Sequence, residues 1–140
     1  MNALAILPET ETISITKACL LLCEALRQNY IEYSIKSHQK FIHADAFEYH
    51  QKKIADLKDG ICDVDFLLIG TGRRYHKIIM VDSYGHRSVH CFIDKNNGDL
   101  YKPASWKAPA EHVRGNLMYD NSREMILSKC DWAGSYLYLR

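Results

Sequence analysis

The chain has 140 residues, of which 47% are hydrophobic and 25% are charged, and its formal net charge at pH 7 is +1. A chain of this length buries roughly two-thirds of the surface that its unfolded form exposes, so one core can stabilise it without disulfides or metals. The composition argues against disorder except at the chain ends, and no apolar run reaches the roughly 18 residues of a membrane span. We therefore expect a single soluble domain over residues 1–140, with no membrane partner.

The cysteines and the first residues bear on the cellular compartment. The five cysteines are odd in number and stand in apolar runs, which is typical of buried thiols in a reducing cytoplasm. Cys19 and Cys23 are four residues apart, but no second close pair supplies the other half of a zinc site, so we expect no metal. The apolar run at residues 3–7 has no basic residue before it, which argues against a signal peptide.

Helical periodicity dominates the first part of the chain. Apolar residues recur at the spacing of an amphipathic helix from Ile15 onward, with Ser14 as the expected N-cap and Asn29 as the expected end. A second helix is predicted from about residue 34 or 37 to residue 58. Gly60 is placed to end that helix in the left-handed conformation.

After Gly60 the apolar period changes from 3.6 to 2, which predicts strands over residues 63–69, 75–81, 87–94 and 100–101. The links between them are only a few residues long, whereas a parallel crossover needs a dozen or more, so neighbouring strands must be antiparallel. Asn97 and Gly98 predict a type I′ hairpin turn, which requires a positive φ at both positions.

The end of the chain is more irregular. Residues 102–116 lack periodicity and contain two prolines, which predicts an ordered loop at the rim of the sheet. A short helix is expected over residues 121–130, and the alternation at residues 136–139 favours a final strand.

The predicted fold class is α+β, with two N-terminal helices followed by an antiparallel β-sheet meander of four to five strands and a short C-terminal helix. Residues 10–60 form a helical arm in this prediction. Residues 61–140 form the antiparallel sheet together with a basic loop.

Positive charge is concentrated in the second half of the chain. Residues 1–70 hold 7 basic and 10 acidic residues, whereas residues 71–140 hold 11 basic and 7 acidic residues. Cations mixed with aromatic rings suit nucleotides, because guanidinium and ammonium groups bind phosphate while rings stack on bases. The hairpin order brings these residues toward a common rim of the sheet. The predicted ligand-binding residues are Arg73, Arg74, Lys77, Arg87, Phe92, Lys102, Trp106, Lys107, Arg114 and Asn116.

Other interpretations of these residues stay open. The cations can instead form a solvated strand face, with an aromatic rim that packs the loop down. Phe92 is expected on the second face of the sheet together with His90 and Asp94, where it is either covered or a stacking platform.

Catalytic chemistry finds little support in the sequence, which contains no P-loop, nucleophile elbow or metalloprotease motif. We predict no catalytic residues and no cofactor. A phosphoesterase would need an acid and a base, for which Asp94, Asp99, His76 and His90 are the candidates.

Four runs in the second half, residues 86–94, 98–110, 113–116 and 134–140, resemble a family of small bacteriophage proteins. This resemblance implies a phage origin and a location in the host cytoplasm. The predicted helices beside an antiparallel sheet also look like the Thoeris anti-defence sponges, which sequester cyclic ADP-ribose signals as oligomers. That likeness implies a non-catalytic nucleotide sponge that counters host defence.

Three functions are therefore considered. The first is a homo-oligomeric binder of a small nucleotide, with an interface built by the helices. The second is a protein that binds single-stranded nucleic acid along the basic surface. The third is an inhibitor of a host defence effector, which would use aromatic residues of the helical arm as its interface. The inhibitor would use Tyr30, Tyr33, Phe41 and Phe47, and the aromatic residues that predict an oligomer are these four together with Tyr49.

Overall fold

The computed structural model describes residues 13–41 and 46–138. The described residues form an α+β fold with three α-helices and a five-stranded antiparallel sheet, in which the strand order follows the chain order. The elements are α1 (Ile15–Gln39), α2 (Phe47–Lys58), β1 (Asp65–Ile69), β2 (Tyr75–Val81), β3 (Arg87–Asp94), β4 (Asp99–Tyr101), β5 (Gly115–Asn116) and α3 (Asp120–Lys129), followed by a 3₁₀ turn (Ser135–Leu137). The predicted α+β class is confirmed.

Helix α1 begins as predicted but does not end at Asn29. The Ser14 hydroxyl accepts a hydrogen bond of 3.0 Å from the Lys17 N–H, which is an N-cap contact. The helix continues to Gln39 because Ile31 extends its buried stripe, and the Asn29 side chain instead accepts a hydrogen bond of 2.9 Å from the Trp132 N–H. The predicted start of a second helix at residue 34 or 37 is therefore wrong.

The core lies between α1 and one face of the sheet. The stripe on α1 packs against buried residues of β1 to β4 and of the C-terminal segment. Burial raises the pKa of the Cys19 and Cys23 thiols to about 12, so both remain protonated core groups. The buried core members from α1 and the sheet are Ala18, Cys19, Leu22, Cys23, Leu26, Phe66, Ile78, Cys91, Ile93 and Leu100.

The turn after β3 differs from the predicted type I′ geometry. Gly98 has a φ of 83°, but Asn97 is not among the described residues with positive φ. The Gly98 N–H donates a hydrogen bond of 2.9 Å to the carbonyl of Asp94, so the turn is wider than a two-residue hairpin. The Asp94 carboxylate also accepts a 2.7 Å bond from the Asn96 N–H, which stabilises this wider turn.

A β-bulge in β3 determines which face His90 occupies. Ile78 pairs with Cys91 whereas Ile79 pairs with Val89, so His90 is the extra residue. Its ring lies edge-on to the core residue Phe66. The prediction that His90 shares a face with Phe92 is therefore wrong, because a bulge shifts the alternation of side chains.

The C-terminal segment turns rather than extends. Gly134 adopts a φ of 83° and leads into the 3₁₀ turn, in which Leu137 is buried in the core. The predicted final strand is wrong for residues 136–138, and residue 139 lies outside the described part of the chain. Strand β5, which pairs with β4, was missed because two residues show no period. No helix in the described ranges has the length and hydropathy needed to cross a bilayer.

Candidate functional site

The segment between β4 and β5 presents Trp106 at the tip of a short hairpin. Pro103 and Pro109 form an antiparallel bridge at its base. Near the tip, the Ser105 hydroxyl accepts a hydrogen bond of 3.2 Å from the Lys107 N–H. The Trp106 hairpin, residues 103–109, is therefore a folded unit with its own backbone contacts, as the prediction of an ordered loop requires.

This hairpin folds over the sheet face that lies opposite to α1. Lys77 and Phe92 are cross-strand partners on that face. The Lys77 ammonium nitrogen lies 4.3 Å from the centre of the Trp106 indole and 5.6 Å from the centre of the Phe92 ring, both within cation–π range. Phe92 is only 2% exposed, whereas Trp106 is 42% exposed. Phe92 thus forms a covered floor, and Trp106 is the more exposed of the two rings.

A cleft of about 290 Å³ lies beside Lys77 and Trp106, and we call it the cationic cleft. Its walls come from the β1–β2 turn, from β2 and β3, and from the Trp106 hairpin. Six of the ten ligand-binding residues predicted from the sequence line it together: Arg73, Arg74, Lys77, Phe92, Trp106 and Lys107.

The β1–β2 turn is held in place by the neighbouring β3–β4 turn. The Lys95 ammonium donates hydrogen bonds to the backbone carbonyls of Gly70 and Gly72, the latter at 2.6 Å. Arg74 donates a 3.3 Å bond to the buried carboxylate of Asp94, and this bond raises the pKa of Arg74. The arginines are therefore presented by a turn with defined contacts. Sequence reasoning missed Lys95, because its partners are backbone carbonyls more than 20 residues away.

Arg114 does not line the cationic cleft. Its Nε donates a hydrogen bond of 2.6 Å to the carbonyl of Leu137, and its Nη1 donates bonds of 2.7 Å to the carbonyls of Glu111 and His112. His112 has a positive φ of 74°, an uncommon conformation for a residue other than glycine. Arg114 thus binds the loop to the C-terminal turn, which is a structural role rather than the predicted anion contact.

Asn116 is buried and also has a structural role. Its amide nitrogen donates 2.9 Å bonds to the carbonyl of Asn97 and to the Asp99 carboxylate. Its side-chain oxygen accepts bonds from the N–H groups of Met118 and Tyr119 at 2.7 and 3.2 Å. These contacts fasten β5 to the turn before β4.

The two remaining predicted residues lie elsewhere. Arg87 is exposed at the start of β3, opposite Val81, and does not line the cationic cleft. Lys102 lines a separate cleft of about 300 Å³ near the C-terminal turn, where its ammonium lies 4.9 Å from the centre of the Tyr138 ring.

The candidate acid–base residues are not gathered into one site. Asp99 bonds to Asn116, and Nε2 of His90 lies 2.8 Å from the Tyr136 hydroxyl. Burial lowers the pKa of His76, whose Nδ1 has no hydrogen-bond partner among the described residues. Within those residues, no three His, Cys, Asp or Glu side chains are placed to hold a metal ion.

The fold and this site define a small α+β protein with a cationic, aromatic cleft between its sheet and a loop hairpin. Residues 6–139 match the family described as a family of unknown function, DUF7717, and the chain belongs to this family. Comparison with curated proteins finds no match, and neither does comparison with solved structures.

Proposed function

We propose that this protein binds a phosphate-bearing nucleotide in the cationic cleft and holds it without chemical conversion. The observation that carries the proposal is that four cations, Arg73, Arg74, Lys77 and Lys107, line one cleft together with the half-exposed indole of Trp106, with Arg74 also bonded to the Asp94 carboxylate. Phosphate oxygens are matched by guanidinium and ammonium donors, and a base can stack on the open part of the indole.

The dimensions of the cleft support a small ligand. Ligand pockets in proteins usually enclose roughly 300–1,000 Å³, and the cationic cleft, at about 290 Å³, stands at the lower end of that range. One nucleotide therefore suits it better than a folded nucleic acid. Because the Trp106 hairpin has an internal hydrogen bond and the β1–β2 turn is held by the Lys95 ammonium, little ordering is needed on binding.

The lining of the cleft favours binding over catalysis. All of its wall residues belong to the described part of the chain, and they include no carboxylate, imidazole or thiol. General acid–base catalysis at a phosphate most often uses one of these groups within hydrogen-bond reach of the substrate.

The proposal includes a biological role and an oligomeric state for this nucleotide binder. The resemblance of the second half of the chain to small bacteriophage proteins supports a phage protein that sequesters a nucleotide signal of host defence in the host cytoplasm. The exposed aromatic side chains of the helical arm support a homo-oligomer. They are Tyr33, Phe41, Phe47 and Tyr49.

Calorimetry with a panel of mononucleotides and cyclic nucleotides tests the binding proposal. Arg73→Gln and Lys107→Gln should each weaken the best ligand about tenfold, because a hydrogen bond to a charged group contributes roughly 1.5–3 kcal/mol. Lys58→Gln, an exposed position on α2, makes the same charge change away from the cleft and should have no effect. If no nucleotide binds the intact protein, the proposal is wrong, and the inhibitor hypothesis takes its place.

A further inference from the structure

The cationic cleft is the first of three clefts that share walls. Trp106 also lines a second cleft of about 320 Å³, which we call the neutral groove because it has no charged wall residue among the described residues. The neutral groove in turn shares Ser88, Val89 and Pro103 with the cleft near the C-terminal turn, which we call the distal cleft. Shared wall residues therefore place the three clefts in a row, from the arginines past Trp106 to the C-terminal turn, and we call this row of clefts the path.

The chemistry along this path alternates between charged and neutral parts. The cationic cleft offers four cations, and the neutral groove offers the exposed hydroxyl-bearing residues Ser88 and Ser105. The distal cleft offers a single cation, Lys102, beside the exposed ring of Tyr138. Aromatic surface thus follows each cationic region.

A single nucleotide would use only part of this path. Its phosphate and base fit the cationic cleft and Trp106, which leaves Lys102 and Tyr138 without a ligand group. A second nucleotide unit would bring one more phosphate, a monoanionic diester, and one more base. One lysine and one exposed tyrosine are the groups that such a unit needs.

We propose that the ligand is a linear dinucleotide. Its 5′-phosphate binds in the cationic cleft and its first nucleoside passes Trp106 along the neutral groove. Its phosphodiester meets Lys102, and its second base lies against Tyr138. This inference rests on the proposed function, because it assigns the phosphate end to the same cationic cleft.

The test compares 5′-phosphorylated oligodeoxyadenylates of one, two and four nucleotides by titration calorimetry. The dinucleotide should bind about tenfold more tightly than the mononucleotide, because one further stacked base and one further ion contact are added. The tetranucleotide should bind no more tightly than the dinucleotide.

Lys102→Gln should reduce dinucleotide affinity to that of the mononucleotide while leaving mononucleotide affinity within about twofold. Lys58→Gln is the matched control, and melting curves verify that both variants fold.

The outcomes separate the two proposals. Equal affinity for one and two nucleotides, or a Lys102→Gln variant that binds the dinucleotide as the parent does, overturns the dinucleotide proposal and leaves the proposed function standing. A further gain of about tenfold with four nucleotides overturns it in favour of single-stranded nucleic acid. Absence of binding by all three probes overturns both the dinucleotide proposal and the binding of linear nucleotides in the cationic cleft.

Discussion

Arg114 Nε donates a hydrogen bond of 2.6 Å to the backbone carbonyl of Leu137, which connects the loop before β5 to the buried C-terminal turn. The same guanidinium also donates to two carbonyls within its own loop. A carbonyl that loses a charged donor at a partly buried position must be satisfied by water or remain unpaired, and each such loss costs free energy of folding.

We therefore expect Arg114→Ala to lower the free energy of unfolding by about 2–3 kcal/mol and to leave nucleotide affinity unchanged. Urea unfolding and calorimetry on the same variant provide the two measurements. Arg87→Ala removes an exposed arginine from the start of β3 and should change stability by less than about 0.5 kcal/mol. A stable Arg114→Ala variant with weakened ligand binding would return Arg114 to the ligand site predicted from the sequence.

His90 makes the stability of the fold depend on pH. Burial lowers the pKa of His90 from its ordinary value of 6.5 to about 4, and the neighbouring Asp131 only partly opposes this shift. Below pH 6.5 the His90 imidazole is protonated in the unfolded chain, whereas in the folded chain it stays neutral until about pH 4. The contribution of neutral His90 to the free energy of unfolding is therefore complete above pH 6.5 and is lost progressively between pH 6.5 and pH 4.

The expected loss from this residue is about 2 kcal/mol between pH 7 and pH 5. Urea unfolding at both pH values should show it, and His90→Gln should reduce the difference. His86→Gln, at an exposed position in the β2–β3 turn region, should keep it. Burial also lowers the pKa of His38 and of His76, which act in the same direction, so the comparison of variants isolates His90. An unchanged pH dependence in His90→Gln would contradict this account.

Local patterns predicted the elements well where one face of an element is buried. The Ser14 cap follows from the residue type that precedes the apolar stripe, and the bounds of β2 and β3 follow from side-chain spacing. Spacing failed at Asn29 and at His90, because both positions depend on partners distant in sequence. Asn29 bonds to the Trp132 backbone 103 residues away, and the bulge at His90 exists only in the pairing of β2 with β3.

In the candidate site too, local sequence patterns predicted some features, whereas contacts between residues distant in sequence decided others. The hairpin order of the strands was enough to place Arg73 and Trp106 near each other, since turn lengths constrain topology. It could not distinguish these residues from Arg114, because a cation that faces solvent and one that donates to backbone carbonyls are identical in sequence. Only the positions of the carbonyls in the folded chain separate the two roles.

Gly98 and Gly85 form a matched pair for testing the β3–β4 turn. Both glycines have a positive φ, 83° at Gly98 and 85° at Gly85, so alanine at either position costs about 1–2 kcal/mol in backbone strain. A Cβ at Gly98 would also lie 2.5 Å from Met118 Cγ, whereas a Cβ at Gly85 would meet nothing within 4 Å. Gly98→Ala should therefore lower the melting temperature more than Gly85→Ala. Equal effects would show that Met118 moves aside without cost.

The helical arm carries the expected oligomer interface. Four of the five aromatic residues singled out in the sequence remain exposed in the single chain: 50% at Tyr33, 51% at Phe41, 41% at Phe47 and 56% at Tyr49. Tyr30 instead packs edge-on against Trp132.

Exposed aromatic surface is costly in water when it is contiguous and no partner covers it, and a second copy is the partner present at highest concentration in a purified sample. Sedimentation at tens of micromolar should thus give at least twice the chain mass of 16.2 kDa. The double change Phe47→Ser with Tyr49→Ser should lower that mass, whereas Tyr84→Ser, at an 86% exposed tyrosine in the β2–β3 turn, should not. A monomeric mass for the unaltered protein would contradict the oligomer prediction and leave this surface to a different partner.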